Sequence, residues 1–170
     1  DANDQIHPGA TEICNGLDDN CDGQVDETTL NLNLSAGNII CNGGSTTITA
    51  SGTGGAPPYL YSFNSGSFGT SNNFSASAGS HSVTIKDANN CLGTNTIDID
   101  EPDVITIDPI EITHVACSGG NTGAINITVS GGTGTYTYRW SNNRTTQDLV
   151  NVSGNTYSVT VADANACTAS

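Results

Sequence analysis

The sequence predicts an all-β chain: two tandem β-sandwich repeats behind a small acidic loop module. Three observations predict it. Val, Ile and Thr are plentiful although hydrophobic residues make up only 35 % and charged residues 12 % of the 170 positions, a balance that favours short strands over disorder. No segment keeps a helical 3.6 period over ten residues or more, whereas short apolar/polar alternations recur between Gly- and Asn-rich turns. The sequence also repeats itself. "YLYSF" (59–63) matches "YTYRW" (136–140), "SHSVTIKDANNC" (80–91) matches "TYSVTVADANAC" (156–167), and "ITASGTGG" (48–55) matches "ITVSGGTG" (127–134). Self-similarity on this scale means tandem domains. The expected boundaries are 1–28 for the acidic module, 29–104 for the first repeat and 105–170 for the second.

Each repeat is read in the same order. "TITAS", "YLYSF" and "SVTIK" are strands of the first, and "AINITVS", "YTYRWS" and "YSVTVAD" of the second. Several such strands with turns every 8–12 residues make a sandwich. Alternation places Tyr59, Tyr61 and Phe63 on one face, with Val83 and Ile85. Tyr136, Tyr138 and Trp140 are their counterparts, with Val159 and Val161. An aromatic row of this kind can be a sugar-binding platform, but a sandwich core explains it more simply. "DANN" and "DANA" read as hairpin turns, with Asp87 and Asp163 as turn formers.

The cysteines follow the repeat. Cys41 and Cys91 are separated by 91 − 41 = 50 positions, and Cys117 and Cys167 by 167 − 117 = 50. A thin sandwich core gains roughly 4 kcal/mol from a bond closing a loop of that size, on the loop-entropy argument. The expected pairs are Cys41–Cys91 and Cys117–Cys167, with Cys14–Cys21 bracing the acidic loop. An upstream cysteine could compete for either member of that last pair. Six cysteines and few cations suggest an oxidising, extracytoplasmic compartment.

Net charge is −14, from 17 acids against 3 Lys and Arg. Such a surface repels nucleic acid and anionic membranes. No apolar run approaches the ~20 residues of a membrane span. There is no signal-peptide pattern, and Asp1 opens inside an acidic motif, so the chain reads as an internal fragment.

Eight of the 17 acids lie in residues 1–27, which hold no Lys or Arg. There Asp18, Asn20 and Asp22 alternate and Gly23 follows, the opening of a D-x-[DN]-x-[DN]-G calcium loop. Calcium takes six to eight hard oxygens, and alternate side chains on a tight curl can converge on one ion. Gln24 stands where a backbone carbonyl coordinates. Glu27 is the acidic closer, two places earlier than in a helix–loop–helix site, which argues against flanking helices. Asp26 is a less certain ligand, and Asp19 should point away from the ion. Zinc is the rival: His7, Cys14 and Cys21 are nearby, but oxygens dominate and favour calcium. The alternative to any site is a solvated acidic tail, which would not need this register.

Two resemblances sharpen the reading. "SGGTGTYTYRWSNN" with "YSVTVADANAC" resembles the SprB-type repeat of Bacteroidetes surface proteins, including gliding-motility adhesins. The likeness covers about 135 residues in two copies and is closest in the second; the first has Phe63 for the tryptophan. It implies an immunoglobulin-like sandwich, a cell-surface location and a place in long adhesive filaments, with no catalytic residues. The second copy ends just after its last cysteine, so its final strand is expected to be missing or supplied by residues beyond Ser170. "DANDQIHPGATEICNGLDDNCDGQVDE" resembles the metal-binding motif of MopE-like surface proteins, with Pro8, Gly9, Ala10, Glu12, Cys14, Asp18, Cys21, Asp22, Gly23, Asp26 and Glu27 matching. This resemblance implies that Asp1, Asp4 and Glu12 complete the site or form a second one.

Asp98, Asp100, Glu101, Asp103, Asp108 and Glu111 form a second acidic run at the junction of the repeats. It could hold calcium, but a solvated linker is the preferred reading. His7, His81 and His114 are scattered, and His81 aligns with Tyr157, a structural position. The first functional expectation is a calcium-stabilised structural and adhesive segment of a long extracellular surface protein. Its partners would be Ca2+, neighbouring repeats and surface polysaccharide or other cells. The alternative is a carbohydrate-binding accessory region of a secreted enzyme. An enzyme ranks last, because no nucleophile can be paired with a base.

Overall fold

The computed structural model describes residues 6–26 and 30–170, with the side chain of Ile110 left aside. Twelve strands and no helix occur among them. The chain divides into two compact units: Asp1–Asn38 with Ser45–Asp100, and Ile39–Gly44 with Glu101–Ser170. The acidic stretch thus belongs to the first unit, and the short segment 39–44 to the second.

The first unit has two three-stranded antiparallel sheets. One is β1 (Asn31–Ala36), β2 (Thr46–Thr53) and β4 (Asn73–Ala76), with β2 central. The other is β3 (Leu60–Phe63), β5 (Gly79–Lys86) and β6 (Leu92–Ile99), with β5 central. Inward residues of both sheets are sealed from solvent: Ile48 and Ala50 from β2, and Val83 and Ile85 from β5. The two faces approach so closely at Gly52 that a methyl there would sit 2.1 Å from Ile85 Cδ1.

The second unit repeats this topology. β7 (Thr106–Thr113), β8 (Gly123–Ser130) and β10 (Leu149–Val152) form one sheet around β8. β9 (Thr137–Trp140), β11 (Val159–Ala162) and β12 (Thr168–Ala169) form the other around β11. Ile127, Leu149 and Val152 from the first sheet meet Trp140 from the second, flanked by Tyr138, Tyr157 and Val159. Alternation therefore identified the core faces. β7 carries Pro109, and its register with β8 slips between Pro109 and Glu111. A proline cannot donate to the ladder, so a bulge is where the sheet tolerates it.

The aspartates of the two DAN turns each accept three backbone amides. Both are buried. Asp87 Oδ1 accepts from the amides of Asn89 and Cys91, and its Oδ2 from the amide of Ala56, each at 2.9 Å. Asp163 does the same with Asn165, Cys167 and Thr133, at 2.9, 2.9 and 2.8 Å. Each carboxylate shapes its own hairpin and clasps the glycine loop that follows the central strand of the opposite sheet. Burial alone would raise the Asp163 pKa, but the amides of Thr133, Cys167 and Asn165 outweigh it and hold the group below its ordinary value of 3.8; hydrogen bonds to the charged form favour it.

Further details repeat. The Tyr59 hydroxyl donates to Gly54 O, and that of Tyr136 to Gly131 O. The Tyr157 hydroxyl donates to Ser153 O, and His81 Nε2 lies 2.9 Å from Ser77 O. His81 is therefore a strand residue doing the work of a tyrosine. One alignment is corrected by these contacts. The loop of Gly54 and Gly55 corresponds to Gly131 and Gly132, and the strand before each is eight residues long, Thr46–Thr53 and Gly123–Ser130, so "ITASGTGG" and "ITVSGGTG" are out of structural register.

Candidate metal centre

The acidic stretch folds as a curl pinned by its own side chains. The amide of His7 donates to Asp19 O at 2.9 Å, and that of Gly9 to Asn20 O at 3.3 Å. This lays residues 7–9 against 19–20. Asp19 is buried and accepts from the Ile13 amide and the Asn15 side-chain amide. It thus points inward, away from the loop that Asp18 and Asp22 outline.

Asp18 receives the amides of Asp22 and Gly23 at 3.1 and 2.9 Å. Asn20 Oδ1 accepts from the Asp22 amide at 2.8 Å, and Asp22 Oδ1 from the Gln24 amide at 2.9 Å. Alternate side chains therefore fold over one turn, and Gly23 at φ +95° supplies the left-handed step it needs. Asp26 is engaged elsewhere, accepting from the amides of Asn15 and Gly16. Glu12 reaches the loop from the preceding segment: its Oε1 accepts from the Asn20 amide at 2.7 Å. Its Oε2 is buried with no hydrogen-bond partner among the described residues. A buried carboxylate oxygen without a partner is costly, and a cation is one way to satisfy it. That atom fits the donor chemistry of the motif, which is oxygen throughout. Among the described residues, however, no three His, Cys, Asp or Glu side chains are gathered tightly enough to hold an ion. Asp1, Asp4 and Glu27 lie outside the described residues.

The expected disulfides are corrected. Cys14 bonds Cys91 and Cys41 bonds Cys167, while Cys21 and Cys117 are free and exposed. Neither Cys41–Cys91 nor Cys117–Cys167 forms, and Cys14–Cys21 does not brace the loop. Instead Cys14 ties the acidic curl to the β5–β6 hairpin. Cys167 takes its sulfur from segment 39–44, which packs in the second unit with Ile39 buried. The matched 50-residue spacing reflects the repeat itself, not a bond within it.

The junction acids do not form a cluster among the described residues. Asp98 lies on β6, and Asp108 and Glu111 on β7. Glu101 accepts from the Gly43 amide within the second unit. Glu12's buried oxygen and the Cys14–Cys91 tie were missed by sequence reasoning, which named Glu12 only through the resemblance to the metal-binding motif.

Residues 1–27 match a family of MopE type described as "Putative metal-binding motif", whose short name refers to copper binding. Residues 110–145 match the SprB repeat. The chain thus carries a metal-binding motif and a SprB repeat. Only one SprB match is found where two copies were expected; the first unit has the same sheet topology without the match. No curated protein matches the chain. A crystal structure of the C-terminal 282-residue fragment of intimin, in complex with the intimin-binding domain of the translocated intimin receptor, is similar at a TM-score of 0.41 and 15 % identity. That likeness covers 84 % of this chain and 61 % of the intimin fragment, so the chain spans about three-fifths of its length.

Proposed function

We propose that this chain is a metal-stiffened structural segment of a repetitive extracellular surface protein, and that its metal is calcium. The observation that carries the reading is the curl at Asp18–Gly23, preshaped by hydrogen bonds and backed by the unpartnered buried oxygen of Glu12. The side chains of Asp18, Asn20, Asp22 and Glu12, the Gln24 carbonyl and Glu27 would hold the ion. Asp1 and Asp4 would complete the site, while Asp26 would act through the Asn15–Gly16 turn it caps. Bound calcium supplies positive charge that offsets the crowded carboxylates. Carboxylate and carbonyl oxygens suit calcium, whereas copper prefers imidazole and sulfur, and His7 is the one histidine in the motif.

The SprB match supports a place in a surface array, and the two disulfides support an extracellular location. In that role the segment spaces and stiffens, and adhesion to polysaccharide or to other cells belongs to the array. Because Cys14–Cys91 ties the curl to the first unit, ion binding should stabilise that unit as a whole. Calorimetric titration with Ca2+, Cu2+ and Mg2+ tests this. Calcium is expected to bind and to raise the melting temperature of the first unit, with EDTA reversing the shift. Copper binding without calcium binding would reassign the metal, and no heat with any ion would remove the site.

A further inference from the structure

We propose that Cys117 is half of an inter-repeat disulfide, the other half being the cysteine at the Cys167 position of a following repeat of the same kind. The proposal rests on the reading of the chain as part of a repeat array and is independent of its metal.

Each repeat has a leading cysteine, Cys41 or Cys117, and a terminal one, Cys91 or Cys167. The terminal cysteines sit in equivalent clasped hairpins, and each ignores the leading cysteine of its own repeat. Cys91 passes over Cys41 and bonds Cys14, which is 41 − 14 = 27 positions further back. Cys167 passes over Cys117 and bonds Cys41, 117 − 41 = 76 positions further back. The rule is that a terminal cysteine takes a sulfur presented upstream of its own repeat. Under it, a leading cysteine is donated forward, as Cys41 is.

Cys117 is presented as Cys41 is. In both, the carbonyl accepts from the amide three residues on, Gly44 at 3.0 Å and Gly120 at 2.9 Å. The intervening Gly43 and Gly119 both hold left-handed φ, +73° and +82°. The Cys41 turn is docked in the second unit by the Asn42 side-chain amide on Pro102 O and by the Gly43 amide on Glu101. Ser118 replaces Asn42, so the first of these contacts changes in the next junction. The Gly119 amide remains to make the second. The same turn that is bonded and docked at Cys41 is thus exposed and free at Cys117.

Formation of the bond requires a disulfide oxidant, such as oxidised glutathione. The Cys117 thiolate attacks one glutathione sulfur and expels a glutathione thiolate. The partner thiolate then attacks the Cys117 sulfur and expels the second. Two protein thiols lose two protons and two electrons, and one glutathione disulfide becomes two thiols.

The test extends the full chain at Ser170 with a second copy of residues 95–170, which continues the β6-like strand in frame. The chain is folded in glutathione buffer, alkylated without reduction, and its disulfides are mapped by peptide mass spectrometry. Cys117 is expected to bond the terminal cysteine of the added copy, and the added leading cysteine to become alkylated in its place. Cys14–Cys91 and Cys41–Cys167 in the same digest establish folding. Cys117 alkylated, bonded to Cys21, or bypassed by a bond within the added copy would overturn the proposal. Should the extended chain fail to fold, Cys41→Ser in the 170-residue chain decides. Alkylation is expected to rise from two cysteines to three, and a Cys117–Cys167 bond would overturn the forward rule. A calcium titration of the extended chain reports separately on the metal.

Discussion

The two units solve one folding problem with different cores. Their polar frames agree bond for bond in the aspartate clasp and in the tyrosine on the glycine loop. Their aromatic centres do not agree. In the second unit Trp140 is buried, with its indole N–H on Thr146 O at 2.8 Å. In the first, Phe63 is only half-buried and stacks on Phe74, centroids 5.2 Å apart. A carboxylate that satisfies three amides admits no substitute of another shape, whereas apolar volume can be filled in several ways. Hydrogen-bond geometry is therefore the conserved quantity between these units, and side-chain volume the adjustable one.

Truncating the two aromatics should separate the units most. Trp140→Ala is expected to cost the second unit about 3–5 kcal/mol by removing a fully packed side chain, and Phe63→Ala about half that in the first. Denaturant unfolding followed by near-ultraviolet circular dichroism reads both. Equal losses would mean that the stacked Phe63–Phe74 pair matches the buried indole.

The clasps should respond alike. Asp87→Ala strands buried amides and is expected to cost about 2–3 kcal/mol. For Asp163 the sign follows from its lowered pKa: the unfolded chain binds a proton more readily than the folded one. Its contribution is present above the ordinary value of 3.8 and is lost as pH falls through the lower folded value. The melting temperature of the second unit should fall below about pH 4, and Asp163→Asn should flatten that dependence. An unchanged acid limb in the variant would assign the acid sensitivity to other carboxylates.

The smallest difference lies beside the clasp. Ala166 and Asn90 occupy the same turn position, at φ +64° and +65°. Asparagine tolerates the left-handed region and alanine does not, so Ala166→Asn should stabilise the second unit by about 0.5–1 kcal/mol. A thermal melt with no upward shift would show that the turn is already relaxed.

Strand faces, core aromatics and DAN turns were legible because each is written locally, in period-two alternation and in turn residues. His81 was legible through its alignment with Tyr157. The acidic curl was legible from the alternation of Asp18, Asn20 and Asp22 with Gly23. Cysteine pairing was not, because it depends on which distant segment packs beside a hairpin, and the sequence offers each terminal cysteine more than one upstream candidate, Cys41 and Cys117 in the case of Cys167. Glu12 was legible as an acid of the motif, but not as one with a sealed oxygen, since burial of a single atom is a property of the folded curl.

The glycine beneath each clasp has a consequence for recognising such domains. A methyl on Gly55 would stand 2.7 Å from Asp87 Oδ2, and one on Gly132 would stand 2.9 Å from Asp163 Oδ2. Glycine and aspartate are thus locked together across 87 − 55 = 32 and 163 − 132 = 31 positions. That couple is a fingerprint written by steric exclusion, and it persists in the first unit, where the repeat family itself goes undetected. Chains too diverged to align can be screened for it.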